Sequence, residues 1–121
     1  MSVNVQHSEM VSALAKDGEA IRSEMTALNA HLLHMAVGIA GEAGELLDAI
    51  KKAVIYNKSL DLENVIEELG DLEFYMEGLR QGLDLDREET LAHNLAKLGT
   101  RYAGLRYSDQ AAQERADKTT A

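Results

Sequence analysis

Two pairs of acidic side chains carry the chemical potential of this chain. Glu42 and Glu45 stand three residues apart in GIAGEAGELLDAIKK (Gly38 to Lys52), and Glu68 and Asp71 repeat that spacing in NVIEELGDLEFY (Asn64 to Tyr75). Residues three apart on a helix are neighbours on one face, so each pair offers its carboxylates together. Oxygen donors with no thiolate suit a hard divalent cation, Mg²⁺ with Mn²⁺ as a substitute. A third group bears the opposite charge. Asn94, Lys97 and Arg101 follow one another at steps of three and four in NLAKLGTRY. Alone, that strip is an exposed basic helix end that complements the dipole. Beside a cation site, a Lys and an Arg on one face match phosphate oxygens, and a cation with a phosphate grip is the minimum kit for phosphoryl chemistry.

The elements that position these groups are helical. Apolar residues recur at helical spacing through most of the chain and no alternating strand pattern is present. The pattern predicts a first helix from about Ser8 to Arg22, then a break between Ser23 and Asn29 with Thr26 and Asn29 as caps. A second helix follows from about Leu28 to Ile55, and a third from about Leu62 to Gln81, after a turn at YNKSLD. Gly82 is expected as a left-handed C-terminal cap. Asp86 starts a fourth helix that ends near Tyr102, with Glu89 completing a capping box. Short connections between four helices predict an all-α, antiparallel four-helix bundle.

On the second helix, Leu32, Ala36, Ile39, Ala43, Leu46, Leu47, Ile50 and Val54 form a broad apolar stripe, the expected core face. Glu42 and Glu45 lie beside that stripe rather than opposite it, in a sector shared with His31, His34, Met35, Gly38 and Lys52. Acids placed there for solubility alone would sit on the far side, and burying like charges is unfavourable unless a cation or hydrogen bonds compensate. If the second and third helices pack antiparallel, the two acidic pairs converge. A carboxylate di-iron bundle would need Glu-x-x-His motifs, and none occurs.

Composition narrows the remaining classes. A chain of 121 residues supports one domain, divided here into a helical domain, 1–104, and a polar, loosely attached tail, 105–121, with a helical turn around Gln110 to Arg115. There is no cysteine, which excludes disulfides, thiolate metal sites and cysteine nucleophiles. A net charge of −9 speaks against nucleic-acid binding. No membrane-length apolar run and no signal peptide is seen, so a cytoplasmic location is expected.

Taken together, LLHMAVGIAGEAGELLDAIKK, YNKSLDLENVIEELGD and NLAKLGTRY resemble the MazG-like all-α nucleoside triphosphate pyrophosphohydrolases, in particular their short, single-domain members from bacteria and phages. The family hallmark, ExxE and then ExxD, reads here as Glu42-Ala-Gly-Glu45 and Glu68-Leu-Gly-Asp71. The usual proline after RY is replaced by Ala103. The resemblance implies a homodimer or homotetramer that converts a nucleoside triphosphate and water into the monophosphate and pyrophosphate. Glu42, Glu45, Glu68 and Asp71 would ligate Mg²⁺, with Glu45 also assisting as base on the attacking water. Lys97 and Arg101 would neutralise the triphosphate, Asn94 would orient it, and these groups serve either their own site or a neighbour's. His31, His34 and Asn64 share the acidic faces and either contact base or sugar or are hydrogen-bonded core residues; Tyr75 is expected in the core. Similarity to the MazZ group favours a purine substrate such as dGTP or GTP. The alternatives are a dUTPase-like enzyme, a hydrolase of non-standard nucleotides, or a non-catalytic nucleotide-binding regulator.

Overall fold

Thr26 begins the longest element: its side chain accepts a hydrogen bond from the Asn29 N–H at 3.0 Å and frees the chain to run helical from Ala27 to Val54. Two shorter helices precede it in this computed structural model, which describes residues 2–119. They are α1 (Val3–Leu14) and α2 (Gly18–Glu24), and α3 is the Ala27–Val54 helix. The expected single first helix is therefore two. Ala15 and Asp17 are both extended, and Asp17-Gly18 is a pair of weak helix formers at which the chain turns. Lys16 spans the break with an ion pair to Glu24 at 3.0 Å.

Ile55 closes α3, Asn57 takes a left-handed conformation (φ 52°), and Asp61 caps α4 (Leu62–Gly82) by accepting from the Asn64 N–H at 3.1 Å. Among the described residues, α3 and α4 form the most extensive helix–helix interface. Gly82 is the last residue of α4 and not its left-handed cap; that conformation falls on Asp84 (φ 54°). The reason is packing. A Cβ on Gly82 would lie 2.7 Å from His31 Cδ2 and 3.0 Å from Leu32 Cδ2, so glycine here admits α3. Gly78 receives the Met35 thioether in the same way, and Gly38 receives the ring of Tyr75. His31 adds a polar tie by donating from Nε2 to the Gly78 carbonyl at 2.7 Å.

These close approaches rotate α3 relative to the stripe expected from its sequence. Met35 and Ala49 are its buried residues, and Glu68 is the buried residue of α4. Leu47 and Val54, expected in the core, are 67 % and 71 % exposed. Apolar residues cover more than one face of α3, and the glycine notches select which of them α4 covers.

Asp86 starts α5 (Arg87–Arg101), accepting from the Glu88 N–H at 2.8 Å. Beyond it the chain makes a 3₁₀ turn at Ala103–Leu105 and two short helices, α6 (Asp109–Glu114) and α7 (Ala116–Thr119). These elements fold back on α5. The C-terminal segment is thus docked, not loosely attached: Arg101 and Asp117, 15 % and 8 % exposed at their side chains, form an ion pair at 2.8 Å. The principal contacts of α5 are with this segment, and the α3–α4 hairpin keeps a large apolar surface open. Among the described residues no helix is long and apolar enough to cross a membrane.

Candidate metal centre

Antiparallel packing brings the two acidic pairs together. Glu42, half-buried on α3, and Glu68 and Asp71 on α4 offer carboxylate oxygens that all lie within 4.8 Å of one another. Glu68 is 8 % exposed, while Asp71 stands open to solvent. One oxygen each of Glu42 and Glu68, Oε2 in both, is buried with no hydrogen-bond partner. Glu45 is exposed and outside this group of three, yet close enough for its carboxylate to act on Glu68.

Among the described residues no cationic side chain balances the charges of these acids. Lys52, which the helical wheel puts in the same sector, is held by Asp48 at 2.9 Å, and among the described residues no Lys, Arg or His forms an ion pair with any of the four acids. The Glu68 carboxyl is accordingly pushed up to about 8. The largest cause is the Glu42 carboxylate beside it, close enough to favour a proton shared with Glu68. Burial comes next, and then the neighbouring Glu45 carboxylate. Unpartnered buried oxygens and an all-oxygen donor set together fit a hard divalent ion.

The other expected site residues are divided between two regions. On the hairpin, Asn64 is half-buried in the first turn of α4, one turn before Glu68. His34 is exposed and meets Tyr75 edge-on, with ring centroids 6.1 Å apart. The hydrogen bond from His31 Nε2 leaves Nδ1 as its remaining nitrogen. Tyr75, expected in the core, is half-buried between Gly38, His34 and Phe74. Gly38, which lies one turn before Glu42, is filled by that ring and leaves no backbone gap there for a ligand.

Asn94, Lys97 and Arg101 sit on α5, and among the described residues no hydrogen bond or ion pair joins them to the acids. Lys97 is half-buried on the wall of a cleft of about 310 Å³ that it shares with His93, Ala96, Thr100, Asp117 and Lys118. Asp117 is the functional-site candidate absent from the sequence reading. Its one sequence signal is the Ser108 cap, which accepts from the Ala111 N–H at 3.0 Å and starts the helical segment leading to it.

A family model described as "MazG nucleotide pyrophosphohydrolase domain" matches residues 30–105, a span that begins in α3, contains α4 and α5, and ends in the 3₁₀ turn. No curated protein and no solved structure gives a match.

Proposed function

The chain belongs to the MazG nucleotide pyrophosphohydrolase family, and from that premise we propose that it hydrolyses a nucleoside triphosphate to the monophosphate and pyrophosphate with a divalent cation held between α3 and α4. The observation that carries this reading is the pair of buried, unpartnered oxygens on Glu42 and Glu68, with Asp71 beside them. Mg²⁺ is the expected ion, with Mn²⁺ able to replace it; bound there, it offsets the acids, polarises the phosphate chain and increases the acidity of water.

The chain's own residues divide the remaining work. Glu42, Glu68 and Asp71 fix the ion's position. Glu45, next to that group but open to solvent, joins the ligands and takes a proton from the attacking water. Lys97 and Arg101 hold the phosphates and Asn94 orients them. His31, His34 and Asn64 contact base or sugar. A purine triphosphate such as dGTP or GTP is the favoured substrate, on the likeness to the short phage-type members.

The exposed apolar surface of the hairpin supports self-association. Leu33, Val37, Leu47, Ile66 and Phe74 are each 55 % exposed or more, a poor arrangement for a monomer. A second hairpin laid on this surface closes a four-helix bundle and yields a dimer or a tetramer of two dimers, in which α5 serves its own acids or a neighbour's.

The test is Mg²⁺-dependent turnover of the eight common dNTPs and NTPs, with products separated and identified. Monophosphate and pyrophosphate in equal amounts are expected. If nucleotides bind without turnover, the protein is a regulator that retains the fold.

A further inference from the structure

The matched domain ends at residue 105, yet the chain continues and returns to α5. The return is held by a two-pronged ion pair. Arg101 donates from Nε to Asp117 Oδ1 at 2.8 Å and from Nη2 to Oδ2 at 3.3 Å. A guanidinium has five N–H donors in a rigid plane, so Asp117 takes one edge and leaves Nη1 and the second Nη2 hydrogen, with the Tyr102 side chain also close enough to act on the guanidinium. Both partners are largely removed from solvent, where an ion pair adds little net stability compared with apolar contacts. What it does impose is a direction on the guanidinium plane.

The adjoining cleft has the chemistry of an anion site. Lys97, half-buried, has no ion pair or hydrogen bond among the described residues. Lys118 enters the wall from α7, with Nζ 4.0 Å from the Asp117 carboxylate. His93 supplies a further donor, while the Thr100 hydroxyl is engaged with the Ala96 carbonyl at 3.1 Å. Asp117 is the one acid on the wall, and its charge is directed at Arg101. At about 310 Å³ the cleft is at the small end of ligand pockets (about 300–1,000 Å³), suited to a phosphate chain and not to a whole nucleotide.

We infer that α7, outside the matched domain, completes the polyphosphate-binding face of α5, with Asp117 as a positioning residue for Arg101 and Lys118 as a further cation beside Lys97. This rests on the pyrophosphohydrolase reading of the same chain and adds to it a C-terminal wall for the triphosphate. It also gives residues 106–119 a role that the family domain does not include.

The experiment titrates inorganic tripolyphosphate into the full-length protein with Mg²⁺ by calorimetry, alongside steady-state kinetics on the nucleotide that turns over fastest. Lys118→Met should weaken tripolyphosphate binding several-fold. Asp117→Asn should raise KM about tenfold, the usual scale for misplacing one charged hydrogen-bonding group, with a smaller change in kcat. Asp117→Glu should recover part of that loss. Wild-type affinity in Lys118→Met, or an Asp117→Asn protein with a lower Tm and unchanged Kd and KM, overturns the inference. If Asp117→Asn does not fold, Lys118→Met decides alone, because that side chain is 59 % exposed. Normal nucleotide turnover in variants with unchanged affinity removes the C-terminal wall and leaves the enzyme reading standing. Lys118-dependent tripolyphosphate binding without nucleotide turnover does the reverse.

Discussion

Glu42 and Glu68 face each other across the α3–α4 hairpin, each with one buried carboxylate oxygen that has no hydrogen-bond partner. The repulsion between them is tolerated because Glu68 keeps its proton up to about pH 8. In the unfolded chain that proton leaves near the ordinary carboxylate value of 4.5.

The sign of the pH dependence follows. Between about pH 4.5 and 8 the folded protein binds one more proton at Glu68 than the unfolded chain, so metal-free stability falls as pH rises through this window. A divalent cation displaces the proton, so the rise in Tm on adding Mg²⁺ should be larger at pH 8 than at pH 6. Thermal melts across pH, with and without Mg²⁺, give both slopes. Calorimetry in two buffers of different ionisation heat should show proton release on binding. Glu68→Gln should flatten the metal-free slope.

The acids should separate by role. Glu42→Gln and Glu68→Gln should abolish both turnover and the Mg²⁺-induced rise in Tm. Glu45→Gln should reduce kcat on the order of a hundredfold and keep much of that rise. Equal loss of the Tm response in all three variants would show Glu45 to be a ligand only.

Glycines a turn apart on α3 should behave oppositely. Gly38→Ala puts a methyl into the Tyr75 ring and should cost about 1–3 kcal/mol through displaced packing. Gly41 has nothing within 4 Å of its would-be Cβ, so Gly41→Ala should stabilise the helix by roughly 0.5–1 kcal/mol. Urea unfolding of the two variants measures both. A loss at Gly41 would reveal a second chain packed there.

The apolar surface of the hairpin should be an interface in solution. Sedimentation should give a mass of two or four chains, and Leu47→Asp, a charge at a 67 % exposed leucine, should shift it toward the monomer. An unchanged monomeric mass in the wild type would leave the exposed leucines without a partner.

Much of the hairpin was legible in local signals. Thr26, Asp61 and Asp86 announce three helix starts because side-chain capping is a short-range interaction. Convergence of Glu42 with Glu68 and Asp71 follows from three-residue spacing on two adjacent helices. The facing of α3 did not follow, because its apolar residues exceed one face and contacts at Gly78 and Gly82, far off in sequence, decide among them. The Arg101–Asp117 pair was equally hidden. Sixteen residues separate the partners, and a polar segment carries no periodicity that tells a docked helix from a free tail.

The contact of Gly38 with Tyr75 has a consequence for how tightly the site is specified. Sliding α3 by one turn, about 5.4 Å, would set either His34 or Glu42 against the tyrosine ring in place of Gly38. Both collide, so the two helices mate at a single setting, as a key fits one set of tumblers. The carboxylates cannot move apart along the hairpin to relax their repulsion. The spacing offered to a cation is therefore fixed by an uncharged contact one turn away, and a variant that loosens that contact should change which ion the site prefers before it changes the overall fold.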